Sequence, residues 1–308
     1  MKWIVTLMVL GVLGWSQERT QVHMGTLISV SVAENTLSDQ VFNLFADLDH
    51  RLSTYKADSE ISLLNQTHHA TLSPVTRRVL ERSMEMNRLS DGAFDITIGS
   101  LSHGAYGFGT DKEHLPSKKE ITTMGQYVGN NKITLEGDSV KIQPGTIIDL
   151  GGIGKGYAVD LALELLTQHQ QTQAIVAASG DIGCLGMCTI AVQDPFTPEG
   201  EIATMVSTLP RVAVSTSGNY ERYIKTKAHN HLLNPKTLKP QQWFASVTLI
   251  DTDDNTRLDA LATAVSVMEE SKAVSLLHSL SIAYLLIRND GTRIMSPMPT
   301  GVTLRTHP

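Results

Sequence analysis

The hydrophobic pattern predicts the main helices of the chain. Between residues 37 and 52, apolar side chains recur every three or four positions, which places them on one face of a helix. Residues 59–65 have the composition of a short capped helix, and Pro74 opens a helix that the Asp91-Gly92 pair ends near residue 90. Further helices are predicted at 116–124, 157–167 and, as one long final helix, 256–279.

Short β-like runs fill much of the remaining chain. The first spans residues 22–32 and is interrupted at Met24-Gly25-Thr26. The others are 132–135, 140–142, 146–150, 174–178, 189–192, 202–208, 212–215, 221–224, 244–250, 282–287 and 293–295. Because most of these runs follow one another with no helix between them, the order favours an α+β fold over a doubly wound parallel sheet. No linker rich in Pro, Gly or Ser divides residues 22–308, which we expect to form one domain.

The N-terminus has the pattern of an export signal. Lys2 precedes an apolar run over residues 3–15, which is shorter than the roughly 20 residues that a membrane-spanning helix needs. Small residues at Gly14 and Ser16 suggest cleavage after Ser16, so residues 1–16 are interpreted as a signal peptide and the mature protein as periplasmic. The alternative is an uncleaved anchor that attaches the protein to the inner membrane. No cysteine follows the run, which argues against a lipoprotein.

Composition excludes one class of partner. The chain has 31 acidic and 25 basic residues, a formal charge of -6, and no basic run. It therefore lacks the electrostatic footprint of a nucleic-acid-binding protein. Its two cysteines, Cys184 and Cys188, flank a glycine-centred turn. Export would permit a disulfide across this turn, and two unpaired, half-buried thiols are the alternative.

A glycine-rich stretch is the most informative motif. Residues 149–160 read Asp-Leu-Gly-Gly-Ile-Gly-Lys-Gly-Tyr-Ala-Val-Asp, between a β-like run and a helical one. Glycines let backbone N–H groups approach a ligand, and Lys155 adds positive charge near a helix N-terminus, as in a phosphate site. Asp149 and Gly156 break the Walker A pattern, and the third glycine of the Rossmann fingerprint is missing. The alternative is a loop whose glycines only permit a tight turn.

Three other clusters are candidates for chemistry. Asp259 and Thr263 lie four residues apart, so a carboxylate and a hydroxyl share one helix face and could ligate Mg²⁺. The alternative is that Asp259 only stabilises the N-terminus of its helix and that Thr263 packs inward. Residues 91–95, Asp-Gly-Ala-Phe-Asp, could hold a planar ring and its polar edge, or form an ordinary turn. His229 and His231 have metal-ligand spacing if they lie on a strand, but an acid/base role for one of them is favoured.

Together, these segments resemble the FAD:protein FMN transferase family (ApbE-like flavin transferases). The resemblance runs from Met24 to about Met268 and rests on motifs that occur in the family's order. They are Met24-Gly-Thr26, Leu52-Ser-Thr-Tyr55 with Ser59-Glu-Ile61 and Asn65, Gly92-Ala-Phe-Asp95, Gly107-Phe-Gly109, Asp149-Leu-Gly-Gly152 with Lys155-Gly-Tyr-Ala158 and Asp160, Gly180-Asp181, Ser217-Gly218 with Tyr220-Glu-Arg222, His231 with Pro235, and Asp259-Ala-Leu-Ala-Thr263.

The resemblance implies a fold, a reaction and a site. It implies a compact α+β fold of mixed or antiparallel sheets packed with helices, and Mg²⁺-dependent transfer of FMN from FAD to a threonine of an acceptor redox protein, with a phosphoester formed and AMP released. Asp259, Thr263 and the Gly154 carbonyl would ligate Mg²⁺, and His231 and Asp259 would be catalytic. The implied FAD-binding residues are Met24, Ser53, Tyr55, Ala93, Phe94, Asp95, Lys155 and Asp181.

The chain departs from the family pattern at three places. Tyr106 stands where the family usually has Trp, Ser179 replaces the first of two glycines, and Leu238 replaces the glycine of a Pro-x-Thr-Gly turn. None of these removes an implied ligand or base. Two other functions remain open at this point: an FAD pyrophosphatase that releases FMN and AMP, and a flavin-binding protein without catalysis.

Overall fold

The computed structural model describes residues 17–307, so the predicted signal sequence at 1–16 lies outside the described residues. Serine side chains cap several helices. Ser59 accepts a hydrogen bond from Ser62 N, as the capped helix predicted at 59–65 requires, Ser73 accepts one from Thr76 N, and Ser117 forms a capping box with Glu120. The helices are α1 (Asn35–Leu52), α2 (Glu60–Thr67), α3 (Pro74–Leu89), α4 (Gly99–Ser102), α5 (Lys118–Gly125), α6 (Gly154–Gln168), α7 (Asn255–Val267) and α8 (Glu270–Ser279). None of those in the described part of the chain has the length and hydrophobicity needed to cross a membrane.

The strands are mostly short and follow the predicted runs. They are β1 (Gln17–His23), β2 (Thr26–Val32), β3 (His69–Thr71), β4 (Ile133–Glu136), β5 (Ser139–Ile142), β6 (Ala174–Ala178), β7 (Asp181–Leu185), β8 (Cys188–Gln193), β9 (Glu201–Ser207), β10 (Arg211–Gly218), β11 (Leu233–Asn234), β12 (Lys239–Pro240), β13 (Phe244–Asp251), β14 (Ala283–Arg288), β15 (Arg293–Met295) and β16 (Val302–Thr306). The break predicted at Met24-Gly25 is the turn between β1 and β2, where both residues have positive φ.

An eight-stranded sheet forms the centre of the molecule. Its order is β1-β2-β6-β7-β10-β13-β14-β15, and every neighbouring pair is antiparallel. Smaller antiparallel sheets, β16-β9-β8 and β3-β5-β4, and the two-stranded β11-β12 complete the set in residues 17–307. Antiparallel sheets with separate helices confirm the predicted α+β class.

The central sheet is covered on both faces. On one face α1, α6 and α7 pack against β2, β6, β7, β10 and β13, and bury side chains such as Val30, Leu163 and Leu261. On the other face, β8, β9 and β16 enclose a second apolar layer that includes Ile182, Met205 and Val214. The two central helices, α6 and α7, therefore cross directly above the middle strands, where they carry the residues of the glycine motif and of the Asp-Thr pair.

Some predicted elements are wrong, for reasons that lie in distant side chains. Residues 146–150 form only an isolated bridge, Ile98 to Ile147, rather than a strand. At Ile148 the Asn65 amide bonds both the backbone N (2.7 Å) and O (3.0 Å), where a strand neighbour would otherwise pair. Residues 221–224 form a loop closed by bonds from His231 N and Ile224 N. The predicted final helix is split, because Met268 is extended and Asn234 donates to the Val267 carbonyl. Strands β3, β7, β11, β12 and β16 were not predicted.

Cys184 and Cys188 form a disulfide, which decides between the two alternatives left open by the sequence. The bond joins β7 of the central sheet to β8 of the sheet that covers it, and it closes a very short loop. For a loop of this size, chain entropy gives a stabilisation of about 2 kcal/mol.

We expect reduction of this disulfide to lower the melting temperature by a few degrees, because the unfolded chain then loses this constraint. Thermal unfolding with and without dithiothreitol measures the effect, and the Cys184→Ser, Cys188→Ser double variant serves as the control that should no longer respond. If the wild-type melting temperature were the same with and without dithiothreitol, the prediction would be wrong.

Candidate functional site

The site is built where α6 and α7 cross. Gly156 lies in the first turn of α6, and a Cβ placed there would lie 2.2 Å from the Asn255 carbonyl oxygen and 2.7 Å from Asp259 Cβ. Only glycine allows this approach, which lets Gly156 N donate a hydrogen bond of 3.0 Å to Asp259 Oδ2. The helix therefore begins earlier than the predicted residue 157, and Gly154 and Gly156 are part of it.

Asp160, one turn further along α6, holds the start of α7. Its carboxylate accepts hydrogen bonds from Asn255 N (2.9 Å) and Thr256 N (2.7 Å), two free N–H groups of the α7 N-terminus. Arg211 donates to the same carboxylate at 2.7 Å. Asp160 thus fixes the position of α7 relative to α6, and with it the position of Asp259.

A buried charged cluster lies beside this crossing. Lys155 Nζ is 3.1 Å from Asp181 Oδ2 and 3.7 Å from Asp259 Oδ2, and it donates to the Gly151 carbonyl at 3.2 Å. Ser215 donates to the other Asp181 oxygen at 2.6 Å. The cluster joins the glycine turn, the β6–β7 turn and α7, so residues far apart in sequence meet at one point.

The cluster has more negative charge than one lysine can balance. Burial and the neighbouring Asp181 carboxylate raise the pKa of Asp259 to about 7, although Lys155 opposes that shift. Burial alone would lower the pKa of Lys155, but the charges of Asp181 and Asp259 outweigh it and raise that pKa above its usual value. A further cation at this place would therefore be stabilised by both carboxylates.

Thr263 completes a set of hard-oxygen donors. A Cβ placed on Gly152 would lie 2.8 Å from Thr263 Oγ1 and 3.3 Å from the Phe94 ring, so the glycine turn lies directly against this hydroxyl. The hydroxyl makes no hydrogen bond to a described residue and is available to a ligand. The Cβ position of Gly154 instead lies 3.4 Å from the Met24 methyl group. The Gly154 carbonyl therefore stays a predicted ligand, and Gly152 is a second candidate on the same turn.

The donor set has the chemistry that Mg²⁺ prefers. A carboxylate, a hydroxyl and backbone carbonyls are oxygen ligands, and Mg²⁺ usually takes few protein ligands and keeps water and substrate oxygens. Within residues 17–307, no group of three or more His, Cys, Asp or Glu side chains forms a metal site of another kind. The residues present thus fit the predicted ion.

The other predicted FAD-binding residues form two groups. Met24 and Phe94 lie near the glycine turn, since Met24 approaches Gly154 and Phe94 approaches Gly152, and Ala93 is the buried neighbour of Phe94. Asp95 and Ser53 are engaged in local structure: Asp95 accepts from Thr97 N at 2.9 Å, and Ser53 Oγ accepts from Tyr55 N at 3.0 Å. The roles of all these residues toward FAD stay predictions.

A second cluster lies at Tyr55, an implied FAD-binding residue, and it includes His103, which no sequence motif had indicated. The Tyr55 ring packs edge-on against His103, with ring centroids 5.4 Å apart, and its hydroxyl accepts from Arg222 at 3.4 Å. His103 Nε2 lies 3.2 Å from Asp149 Oδ2, and the other Asp149 oxygen accepts from Gly151 N at 2.9 Å. Asp149 belongs to the glycine motif, but the sequence offered no signal that His103 would reach it.

We expect the His103–Asp149 pair to stabilise the protein in a defined pH window. Burial alone would lower the pKa of His103, but the charge of Asp149 outweighs burial and raises that pKa above 6.5. Burial alone would raise the pKa of Asp149, but the charge of His103 outweighs burial and lowers that pKa below 3.8. The pair therefore contributes its full stabilisation to the folded protein between pH 3.8 and pH 6.5. This stabilisation is lost as pH rises through the raised pKa of His103, and also as pH falls through the lowered pKa of Asp149.

The measurement is the free energy of unfolding of His103→Gln and of the wild type. The substitution should cost about 1.5–3 kcal/mol near pH 5.5, the value of a hydrogen bond to a charged group, and less near pH 9. His50→Gln is a matched control, because His50 is exposed. An equal loss at both pH values would show that the pair is not ionised.

His231 has the properties of a general base. Its Nδ1 lies 3.0 Å from the Arg222 carbonyl oxygen, an acceptor, so Nδ1 carries the proton and Nε2 keeps its lone pair. Burial and the Arg222 charge lower its pKa to about 4, which keeps the ring neutral near pH 7. His229 lies in a 3₁₀ turn rather than a strand and contacts Thr226, so the geometry required for a His229–His231 metal pair is absent.

The three departures from the family pattern have clear structural consequences. Tyr106 is buried and stacks on Phe108 with ring centroids 5.1 Å apart, inside an apolar cluster. Ser179 and Leu238 both have a φ of 58°, in the left-handed region that favours glycine. These two turns therefore keep the backbone conformation of a glycine while carrying another residue.

Comparison with known proteins supports this picture. The model of the ApbE family matches residues 24–286. An FAD:protein FMN transferase of Haemophilus influenzae is 29% identical over 283 residues, which cover 85% of this chain and 81% of that protein. An FAD:protein FMN transferase of Vibrio cholerae is 28% identical over 313 residues, with 92% and 93% covered.

Solved structures resemble the whole fold. The flavin transferase ApbE from Vibrio cholerae superposes with a TM-score of 0.80 at 26% identity, over 91% of this chain and 97% of that one. The ApbE protein from Thermotoga maritima gives a TM-score of 0.83 at 27% identity, with the same coverage of both chains. The central sheet and the crossing of α6 and α7 are thus features of a known architecture.

Proposed function

The chain belongs to the ApbE family, and we propose that this flavin transferase moves the FMN half of FAD onto a threonine of an acceptor redox protein. In this reaction the threonine oxygen forms a bond to the FMN phosphorus. The bond from that phosphorus to the bridging oxygen breaks, and AMP leaves with that oxygen. The threonine proton passes to a base. The product is a phosphoester between FMN and the acceptor.

The observation that carries this proposal is the buried cluster of Lys155, Asp181 and Asp259 beside the free hydroxyl of Thr263. An anhydride between two phosphates brings negative charge, and its transfer requires that this charge be held in place. Asp259 and Thr263, with a carbonyl of the glycine turn, would hold Mg²⁺. When bound, Mg²⁺ supplies positive charge to the phosphoryl oxygens. Lys155 contributes a second, permanent positive charge at the N-terminus of α6.

His231 is the proposed base. A threonine hydroxyl is a weak nucleophile at neutral pH, so removal of its proton during attack lowers the barrier. The neutral ring with a lone pair on Nε2 can accept that proton, and the hydrogen bond from Nδ1 to the Arg222 carbonyl fixes the ring. Correct alignment of donor and acceptor can contribute about 7–11 kcal/mol, more than the roughly 3–5 kcal/mol of acid/base help.

Export is part of the proposal. The signal-like pattern at residues 1–16, with small residues at Gly14 and Ser16, supports a secreted protein. A periplasmic enzyme would meet acceptors that are secreted or held at the inner membrane. The oxidising periplasm also suits the Cys184–Cys188 disulfide.

Mass spectrometry tests the reaction. The protein is co-expressed with a candidate redox acceptor, and we expect one acceptor threonine to gain the mass of FMN less water. Incubation with FAD and Mg²⁺ but no acceptor is the control, and it should yield little FMN or AMP. Rapid release of both with no modified acceptor would instead identify a pyrophosphatase, and stable bound FAD with no AMP would identify a flavin-binding protein.

A further inference from the structure

The 219–243 segment is an unusually long excursion from the central sheet. It leaves β10 after Gly218 and returns at Phe244, the start of β13, although these two strands pair directly with each other. It is longer than most connections between neighbouring strands, it contains the β11-β12 pair, and long connections of this kind in compact domains are often functional. The segment starts at the same end of the sheet as Asp181, which pairs with Ser215 of β10. It therefore borders the candidate site, and it carries His231.

The segment differs in charge from the rest of the protein. It contains five Lys or Arg residues and one acidic residue, Glu221, in a chain with a formal charge of -6. Lys236 is paired with Asp91 at 2.6 Å. The exposed side chains of Lys225 and Lys239 make no hydrogen bond or ion pair with any residue from 17 to 307. Two cations of this surface are thus free to pair with a partner.

Exposed aromatic rings accompany these cations. Tyr223 and Trp243 expose 37% and 47% of their surface. Phe196, which reaches this surface from the β8–β9 turn, is 46% exposed and lies 5.8 Å from Lys227 Nζ. Aromatic residues are enriched at the centre of protein–protein interfaces, so exposed rings on the same segment as unpaired cations indicate a candidate binding surface.

Internal hydrogen bonds hold the segment in one shape. Asn230 Nδ2 donates to the Lys227 carbonyl at 2.8 Å and to the Gln241 carbonyl at 2.9 Å. Gln242 Nε2 donates to the Ala228 carbonyl at 3.0 Å. The two halves of the segment are therefore tied together, so a partner would meet a surface that is already ordered.

We propose that the 219–243 segment is the docking surface for the acceptor, and that it binds an extended, acidic stretch that flanks the acceptor threonine. The inference rests on the proposed function, because the transferred FMN must reach a threonine beside His231. An acidic stretch complements Lys225 and Lys239, and its apolar side chains would cover Tyr223 and Trp243. The partner must approach over this segment, since His231 is part of it.

Trp243 provides a direct readout of docking. The chain has three tryptophans, Trp3, Trp15 and Trp243, so the variant Trp3→Phe, Trp15→Phe emits from Trp243 alone. The probes are synthetic peptides with one central threonine, flanked in one by Asp and Glu and in the other by Lys. We expect the acidic peptide to shift the emission of Trp243 and to bind at least about tenfold more tightly than the lysine peptide. Added salt should weaken this binding.

Charge reversal supplies the decisive comparison. Lys225→Glu with Lys239→Glu should weaken binding of the acidic peptide by about tenfold or more and favour the lysine peptide, with an unchanged KM for FAD. Lys132→Glu with Arg305→Glu is the matched control, since Lys132 lies just before β4 and Arg305 lies in β16, both outside the 219–243 segment, and it should bind as the wild type does.

Several results would refute the proposal that this segment is a docking surface. These are equal binding of the two peptides, unchanged binding after charge reversal at Lys225 and Lys239, or binding of phosphatidylglycerol vesicles in place of the acidic peptide. Failure of the proposed function has a different signature. If the protein binds the acidic peptide as expected but modifies no acceptor threonine, the docking proposal stands and the proposed transferase function is refuted.

Discussion

Asp259→Asn is expected to reduce FMN transfer by at least about 10³-fold, because it removes the charge that would hold Mg²⁺ while keeping the shape of the side chain. The amide oxygen can still accept the hydrogen bond from Gly156 N, so the crossing of α6 and α7 should persist. The measurement is the rate of acceptor modification at saturating FAD over a range of Mg²⁺ concentrations.

The same substitution should not destabilise the metal-free protein above neutral pH. Burial and the Asp181 charge raise the pKa of Asp259 from 3.8 to about 7, so the folded state keeps a proton that the unfolded state has lost. This group therefore makes the protein less stable as pH rises from 3.8 to about 7, and the penalty is complete above that range. Thermal unfolding in EDTA near pH 8 should show Asp259→Asn melting at or above the wild-type temperature.

Asp253→Asn is the control for both measurements, since Asp253 is exposed just before α7 and should tolerate the change. Wild-type transfer by Asp259→Asn with normal Mg²⁺ dependence would refute the metal assignment. A strongly lowered melting temperature would instead show that the carboxylate serves mainly to join the two helices.

His231→Gln is expected to slow transfer by about 10²–10⁴-fold, the usual contribution of a general base. The KM for FAD should change little, because the ring acts on the acceptor threonine. Since the pKa of His231 is about 4, the wild-type ring is already unprotonated well above that pH. The ratio of the wild-type and variant rates should therefore be nearly constant between about pH 6 and pH 8.

His229→Gln is a close control, because His229 lies two residues away and its ring hydrogen-bonds to Thr226. It should transfer FMN at the wild-type rate. If His231→Gln were equally active, or if its deficit disappeared above pH 7, another group would have to take the proton.

Local sequence signals were sufficient for much of the fold. The helices α1, α2, α3 and α5 begin and end close to their predicted positions, because capping serines, Pro74 and apolar spacing act within a few residues. The break at Met24-Gly25 is likewise a local property of two residues that turn the chain. The antiparallel order of the central sheet was outside the reach of such signals, since strand pairing joins residues far apart.

The sequence by itself determined the chemical types and their local spacing. Lys155 among glycines at a helix start, and Asp259 and Thr263 on one face of a helix, depend only on neighbouring residues and on the helix repeat. The tertiary structure alone decided that Asp181 reaches Lys155, that His103 pairs with Asp149, and that Gly152 rather than Gly154 touches Thr263. The physical reason is that these contacts depend on the path of the whole chain. Burial at the crossing of α6 and α7 then sets the charge of each group.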